Sequence, residues 1–349
     1  MTYIPKPKVQ HPSTPKNKIG LTIRDYEGGL STLCAGCGHD SVTAAIIRAC
    51  WELDVEPHTV AKMSGIGCSS KTPGYFLSTA HGFNSVHGRM PSVTTGANVA
   101  HRGLKYLAVS GDGDTASIGL GQFAHAIRRR LNMLYIVENN GCYGLTKGQF
   151  SATTDRGATN KSGAANDMEA IDPASLAILM GAGFVARSFS GDREQLVPLI
   201  KAGLAYRGFA VIDVISPCVT FNNHEGSTKS YSYTRSHEEE WTALDYIPHQ
   251  DPIEVEYAEG SSIHIPLADG SHIELEKLRS DFEPRDRMQA LSVLSRPDEK
   301  IVTGLLFIDE KGGDFHDTLH TPQKPLRDLD VQNLCPDQKA LDELNASFR

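Results

Sequence analysis

The sequence predicts an α/β fold: a mainly parallel sheet with helices on both faces and a small antiparallel appendage towards the C-terminus. Three observations carry this. Residues 107–149 read LAVSGDGDTASIGLGQFAHAIRRRLNMLYIVENNGCYGLTKGQ. An apolar run, Leu107–Val109, ends in Gly-Asp-Gly-Asp, a helical pattern runs from about Thr115 to Arg129, and a second apolar run, Met133–Val137, ends in Glu-Asn-Asn-Gly. The same strand–helix rhythm continues to Ile215, as expected for a parallel sheet covered on both sides. After about residue 225 it gives way to alternation over 253–278, around the turn signals Glu259-Gly260 and Asp269-Gly270.

Taken in order, residues 1–30 form an N-terminal arm rich in Lys and Pro. VTAAIIRACWEL predicts a helix capped by Asp40 or Ser41, with Val42, Ala45, Ile46 and Ala49 on the buried face. A short strand is expected near Thr59–Met63, running into an irregular Gly-, Ser- and Pro-rich stretch. Residues 81–100 read as loop, with a helix starting near Thr95. The polar stretch 150–169 is long for a connection and has the character of a binding loop. Asp172-Pro173 opens a helix closed by a glycine, Val185–Phe189 is a strand candidate, 192–206 a helix with Pro198 inside it, and Phe209–Ile215 a buried strand. A further helix is expected over 281–297 and a strand over 301–309, followed by a polar tail. The domain plan is thus 1–30 arm, 31–225 cofactor-binding domain and 226–349 C-terminal extension.

The chain has 349 residues, enough for one large or two ordinary cores, and a formal charge of −8. That balance argues against a nucleic-acid surface. No run reaches membrane-helix length, and the N-terminus lacks the apolar core of a secretory signal, so a cytoplasmic location is expected. Seven cysteines, an odd number in a large chain, favour metal ligation or buried thiols over a disulfide framework.

Two constellations carry chemistry. Asp112 and Asn140 stand 28 residues apart, at the carboxyl ends of successive strands, where open α/β sheets bind ligands. Together with a backbone carbonyl they suit a hard cation such as Mg²⁺, and Gly111, Gly113 and Gly141 let the backbone approach a diphosphate. Cys34, Cys37, Cys68 and Cys218 form the second. Three of them sit in Gly- or Pro-shaped turns, and their spacing leaves structural zinc, a [4Fe–4S] cluster and unliganded thiols all open. Asp114 is expected to cap the helix that follows it.

GDGD…ENNGCYG resembles the thiamine diphosphate motif of thiamine-dependent enzymes, and NNGCYGLTKGQFSATT is similar to the beta subunits of the 2-oxoacid:ferredoxin oxidoreductases. The family's CxGCG, GIGC and late fourth cysteine are matched by Cys34, Cys37, Cys68 and Cys218. The resemblance spans roughly 31–225 strongly and implies the thiamine diphosphate-binding fold. It implies that the four cysteines hold one [4Fe–4S] cluster, and that Asp112, Asn140 and the backbone carbonyl of Cys142 hold Mg²⁺, the Cys142 side chain being incidental. Gly67, Ser69, Ser70, His87, Gly111, Gly113, Asp114, Tyr143, Gly144, Leu145 and Thr146 would surround the cofactor. Lys147 would fix the substrate carboxylate, with His87 and Arg89 near the reacting centre.

The implied reaction is CoA-dependent oxidative decarboxylation of a 2-oxoacid, with electrons passing through the cluster to ferredoxin and the reverse direction left open. Chain length and the C-terminal extension favour 2-oxoglutarate, with pyruvate as the alternative substrate and a non-catalytic metal-bound scaffold as the alternative function. The thiamine-activating Glu is not identifiable in this chain. An alpha subunit is expected to supply it and further substrate and CoA contacts, in a heterodimer or dimer of heterodimers.

Overall fold

The computed structural model describes residues 11–160, 162–224, 227–245, 262–266, 272–276, 282–295, 301–335 and 337–348. Apolar runs too short for helices have to be buried on both faces, and they do so as strands of one ten-stranded sheet. In chain order the strands are β1 (Val60–Ser64), β2 (His81–Asn84), β3 (Lys105–Gly111), β4 (Met133–Asn139), a two-strand hairpin β5 (Cys142–Tyr143) and β6 (Gln149–Phe150), β7 (Phe184–Phe189), β8 (Phe209–Ile215), β9 (Glu238–Asp245), β10 (Ser262–Pro266), β11 (His272–Glu276) and β12 (Ile301–Ile308). The sheet order is β10-β11-β9-β12-β7-β8-β4-β3-β1-β2, and the six strands from β7 to β2 are mutually parallel.

Helices cover both faces. On one side α1 (Gly38–Glu52) and α5 (Arg193–Ala205) pack Val42, Ile46, Leu196 and Ile200 against the inward residues of β3, β4 and β8. On the other, α2 (Met90–Ala100), α3 (Leu120–Arg128), α4 (Pro173–Met180) and α7 (Arg287–Leu294) cover a core that includes Phe123, Tyr135 and Phe209. Phe123 meets Tyr135 edge to face, ring centroids 5.2 Å apart, and each such buried aromatic is worth roughly 1.5–3 kcal/mol of transfer free energy.

Several local expectations are corrected. Helix α1 begins at Gly38, ahead of Asp40 and Ser41, with Cys37 at its N-cap and no capping side chain. Residues 81–84 form an exposed edge strand, and the following helix starts at Met90, with Pro91 in its first turn. The helix after Gly-Asp-Gly opens as a π turn, Gly113–Ile118, before α3. The expected antiparallel appendage is present as β9, β10 and β11, and it continues the main sheet: β9 pairs parallel with β12, which pairs antiparallel with β7. Residues 253–261 and the Asp269-Gly270 turn lie outside the described residues.

From residue 11 onward the arm folds back on its own chain. The Asn17 amide donates to Tyr26 Oη at 2.8 Å, Trp51 Nε1 donates to the Leu21 carbonyl at 3.1 Å, and Tyr26 is fully buried. Among the described residues no helix is long and apolar enough to cross a membrane.

Candidate active site

Strands β3 and β4 lie side by side with Gly111 opposite Glu138, so Asp112 and Asn140 leave the sheet together at its carboxyl edge. The Asn140 amide donates to Asp112 Oδ1 at 3.3 Å, and Asn140 Oδ1 accepts the Cys142 N–H at 3.1 Å. Gly141 takes φ +67°, a left-handed turn that brings the chain back towards Asp112 and is natural only to glycine. Asp112 is 1% exposed, and burial raises its pKa against the opposing pull of hydrogen bonds from Ser151 and Thr153. Among the described residues no Lys or Arg forms an ion pair with it. A buried carboxylate in that position suits a divalent cation.

The chain leaves β1 for β2 on one side and then returns to β3 on the other, so the crevice opens between the ends of β1 and β3. Ile66, Gly67, Cys68 and Ser69 line one wall and Gly111, Asp112, Gly113, Asp114 and Ile118 the other. His39, His87, Asn140 and the turn Cys142–Thr146 complete it. A Cβ on Gly113 would overlap the Tyr143 ring, whose hydroxyl donates to the Gly113 carbonyl at 3.0 Å. Backbone amides at the start of the π turn are thereby left open to an anion.

The cysteine loops surround the adjoining space. A Cβ built on Gly144 would lie 3.5 Å from the sulfurs of both Cys68 and Cys218. Thr220 Oγ1 approaches Cys34 Sγ at 3.6 Å, and the Cys37 N–H donates to the Cys34 carbonyl at 3.0 Å in a tight turn. Burial pushes the Cys37 thiol up to about 12, with a further contribution from nearby Cys218. Cys218 goes the other way, to about 6, because the Cys142 thiol and the backbone amides of Thr220, Phe221 and Asn222 all donate to its sulfur. Hydrogen bonds to sulfur of this kind accompany iron–sulfur ligands. The Cys142 side chain is therefore not incidental. Among the described residues no three or more His, Cys, Asp or Glu side chains are grouped to hold a single metal ion.

The remaining expected residues divide. His87 lines the crevice, whereas Arg89 stands exposed at the N-cap of α2 and Ser70 turns its hydroxyl onto the Gly67 carbonyl at 2.6 Å. Lys147 is exposed, outside the lining, and holds φ +81° in the turn after Gly144. Asp114 does not cap its own helix: it accepts Ser110 Oγ at 2.9 Å and the Gly88 N–H at 2.8 Å. Sequence reasoning missed Ser151 and Thr153, and also a buried pair, His39 and Glu138, 3.6 Å apart. Burial lowers His39 to about 4 and raises Glu138, favouring the neutral form of each.

The family described as "Thiamine pyrophosphate enzyme, C-terminal TPP binding domain" matches residues 64–214. A 2-oxoacid:ferredoxin oxidoreductase subunit beta from Sulfolobus sp is 39% identical over 221 residues, 63% of this chain and 70% of that protein. This chain belongs to that beta-subunit family. A 2-oxoglutarate oxidoreductase subunit KorB from Mycobacterium tuberculosis is 39% identical to this beta subunit over 191 residues, 54% of this chain and 51% of that one. A solved 2-oxoglutarate:ferredoxin oxidoreductase from Magnetococcus marinus, with 2-oxoglutarate, coenzyme A and succinyl-CoA bound, superposes with a TM-score of 0.73 at 26% identity, covering 97% of the beta subunit and 100% of the solved chain. The thiamine-binding family match runs from the end of β1 to the end of β8, the span whose carboxyl edge forms the crevice.

Proposed function

We propose that this chain is the beta subunit of a 2-oxoglutarate:ferredoxin oxidoreductase that makes an acyl-CoA and passes electrons to ferredoxin. The observation that carries it is the buried Asp112 carboxylate, without a cationic partner among the described residues, beside a crevice whose neighbouring loops carry four thiols. Asp112 and Asn140 would hold Mg²⁺ with the Cys142 carbonyl, and Cys34, Cys37, Cys68 and Cys218 would hold a [4Fe–4S] cluster. When bound, thiamine diphosphate supplies the nucleophilic carbon for a 2-oxoacid carbonyl and the cluster a one-electron sink.

The chain's own residues bind and orient. The amides after Gly111 would face the diphosphate, and Ile118 and Tyr143, which line the crevice, would help keep water from the reacting carbon. Lys147, held at a left-handed φ that costs energy outside glycine, would present its ammonium to the substrate carboxylate. An alpha subunit would close the crevice. Ile118 and Leu145 line the crevice while 46% and 51% exposed, and Phe83 and Val86, on β2 and in the loop before His87, are 55% and 69% exposed, apolar surface such a partner would cover.

The test is anaerobic co-purification with the second subunit, followed by iron, sulfide and thiamine analysis. Viologen reduction is then compared with 2-oxoglutarate and with pyruvate, each with CoA. Four irons per chain and faster reduction with 2-oxoglutarate are expected. Faster reduction with pyruvate would change the substrate, and zinc without iron would end the redox reading in favour of a scaffold.

A further inference from the structure

The geometry assigns to Ser151 and Thr153 a positioning role: they hold the Asp112 carboxylate so that a single oxygen, Oδ1, faces the divalent cation. The inference rests on reading Asp112 as a cation ligand. Both hydroxyls come from the loop after β6, 39 and 41 residues beyond Asp112, and both donate to Oδ2, Thr153 at 2.7 Å. A carboxylate offers about four lone-pair sites. The two on Oδ2 are taken, while Oδ1 receives the long 3.3 Å contact from the Asn140 amide. The terminal torsion of an Asp is soft, so an unclamped carboxylate would exchange its oxygens freely. Mg²⁺ demands near-ideal octahedral placement and tolerates such swinging poorly.

The Thr153 hydroxyl has a second acceptor within reach. It lies 2.9 Å from Asn139 Oδ1, and the Asn139 amide donates to Asp213 Oδ1 at 3.0 Å. Arg187 Nε in turn donates to Asp213 Oδ2 at 2.9 Å. The one hydroxyl proton of Thr153 goes to the charged acceptor, Asp112, because charge-assisted bonds are the stronger. Thr153, Asn139 and Asp213 are each no more than 2% exposed, so no water competes for these bonds. A merely structural account, in which the hydroxyls only satisfy a buried carboxylate, predicts altered stability without a changed response to Mg²⁺.

The experiment uses the complex co-purified with its second subunit and stripped of thiamine diphosphate and Mg²⁺. Calorimetric binding of thiamine diphosphate is measured across a MgCl₂ series for wild type, Thr153→Val, Thr153→Ser and Ser151→Ala. The half-saturating Mg²⁺ concentration should rise about tenfold or more in Thr153→Val and return to within about threefold of wild type in Thr153→Ser, the range expected for an outer-shell partner. Iron per chain should stay constant. Wild-type Mg²⁺ midpoints in both Thr153→Val and Ser151→Ala would overturn the clamp alone. If Thr153→Val fails to fold, Ser151→Ala decides, a raised midpoint supporting the clamp and an unchanged one ending it. Mg²⁺-independent binding, or none, in the wild type would overturn the ligand reading on which the clamp rests.

Discussion

The Asp114 carboxylate and the backbone amide of Gly88 lie 2.8 Å apart, tying the end of β3 to the loop that carries His87. Gly65 makes room for this, since a Cβ there would overlap Asp114 Oδ2. Asp114→Ala would leave the buried Gly88 N–H without its acceptor, a loss of about 1–3 kcal/mol. Asp114→Asn keeps an oxygen for Gly88 and turns its NH₂ towards the Ser110 hydroxyl, which can accept. Urea denaturation should therefore rank wild type and Asp114→Asn close together and Asp114→Ala clearly below. Equal losses in the two variants would mean that charge, not the Gly88 bond, is what matters.

Much of this site was legible in the sequence, for a physical reason. An apolar run that ends in Gly-Asp-Gly or Asn-Asn-Gly reports both a buried strand and the polar groups at its exit, so β3 and β4 are legible, with Asp112 and Asn140 just beyond their carboxyl ends. β2 was not legible: its four residues are exposed, pair on one side only and show no alternation. The start of α1 was missed because no side chain caps it. The Ser151 and Thr153 hydroxyls were hidden because a loop's return path leaves no periodic trace, and Cys142 and Cys218 are brought together from positions far apart in the sequence.

Arg187 bridges Asp172 and Asp213 beneath the site, and Asp213 is 1% exposed. Arg187→Met removes the cation and strands a buried carboxylate. Breaking one partner of such a pair costs about 3–5 kcal/mol, more than deleting the pair itself. Denaturation should show that loss, and adding Asp213→Asn to Arg187→Met should recover part of it. No recovery in the double variant would place the cost in lost packing of the Arg stem instead.

Cys142 offers a spectroscopic test. Its thiol donates to Cys218. Donors to a ligand sulfur stabilise the reduced, more negative cluster, so removing one lowers the reduction potential. With Cys218 as the proposed cluster ligand, Cys142→Ala should retain iron and show a more negative midpoint in an electron paramagnetic resonance titration, whereas Cys218→Ser should disturb cluster assembly. Loss of iron in Cys142→Ala would make it a ligand or an assembly residue.

Lys62 sets a pH dependence. Its ammonium is buried in β1 and donates at 2.8 Å to the carbonyls of both Pro73 and Phe76, bracing the turn that follows Cys68. Burial lowers its pKa from 10.5 to about 8. Below about 8 both folded and unfolded chains hold the proton, and folding carries the full cost of burying the charge. Between about 8 and 10.5 the unfolded chain holds a proton that the folded chain has released, so this group's contribution to stability rises with pH. Lys62→Met loses both carbonyl bonds at every pH but carries no titrating group. Wild type should therefore gain on Lys62→Met across that window, by at most about 3 kcal/mol at 1.36 kcal/mol per pKa unit. Urea midpoints of the two proteins at pH 7.5 and pH 10 measure it, and parallel profiles would show that Lys62 keeps an ordinary pKa in the fold.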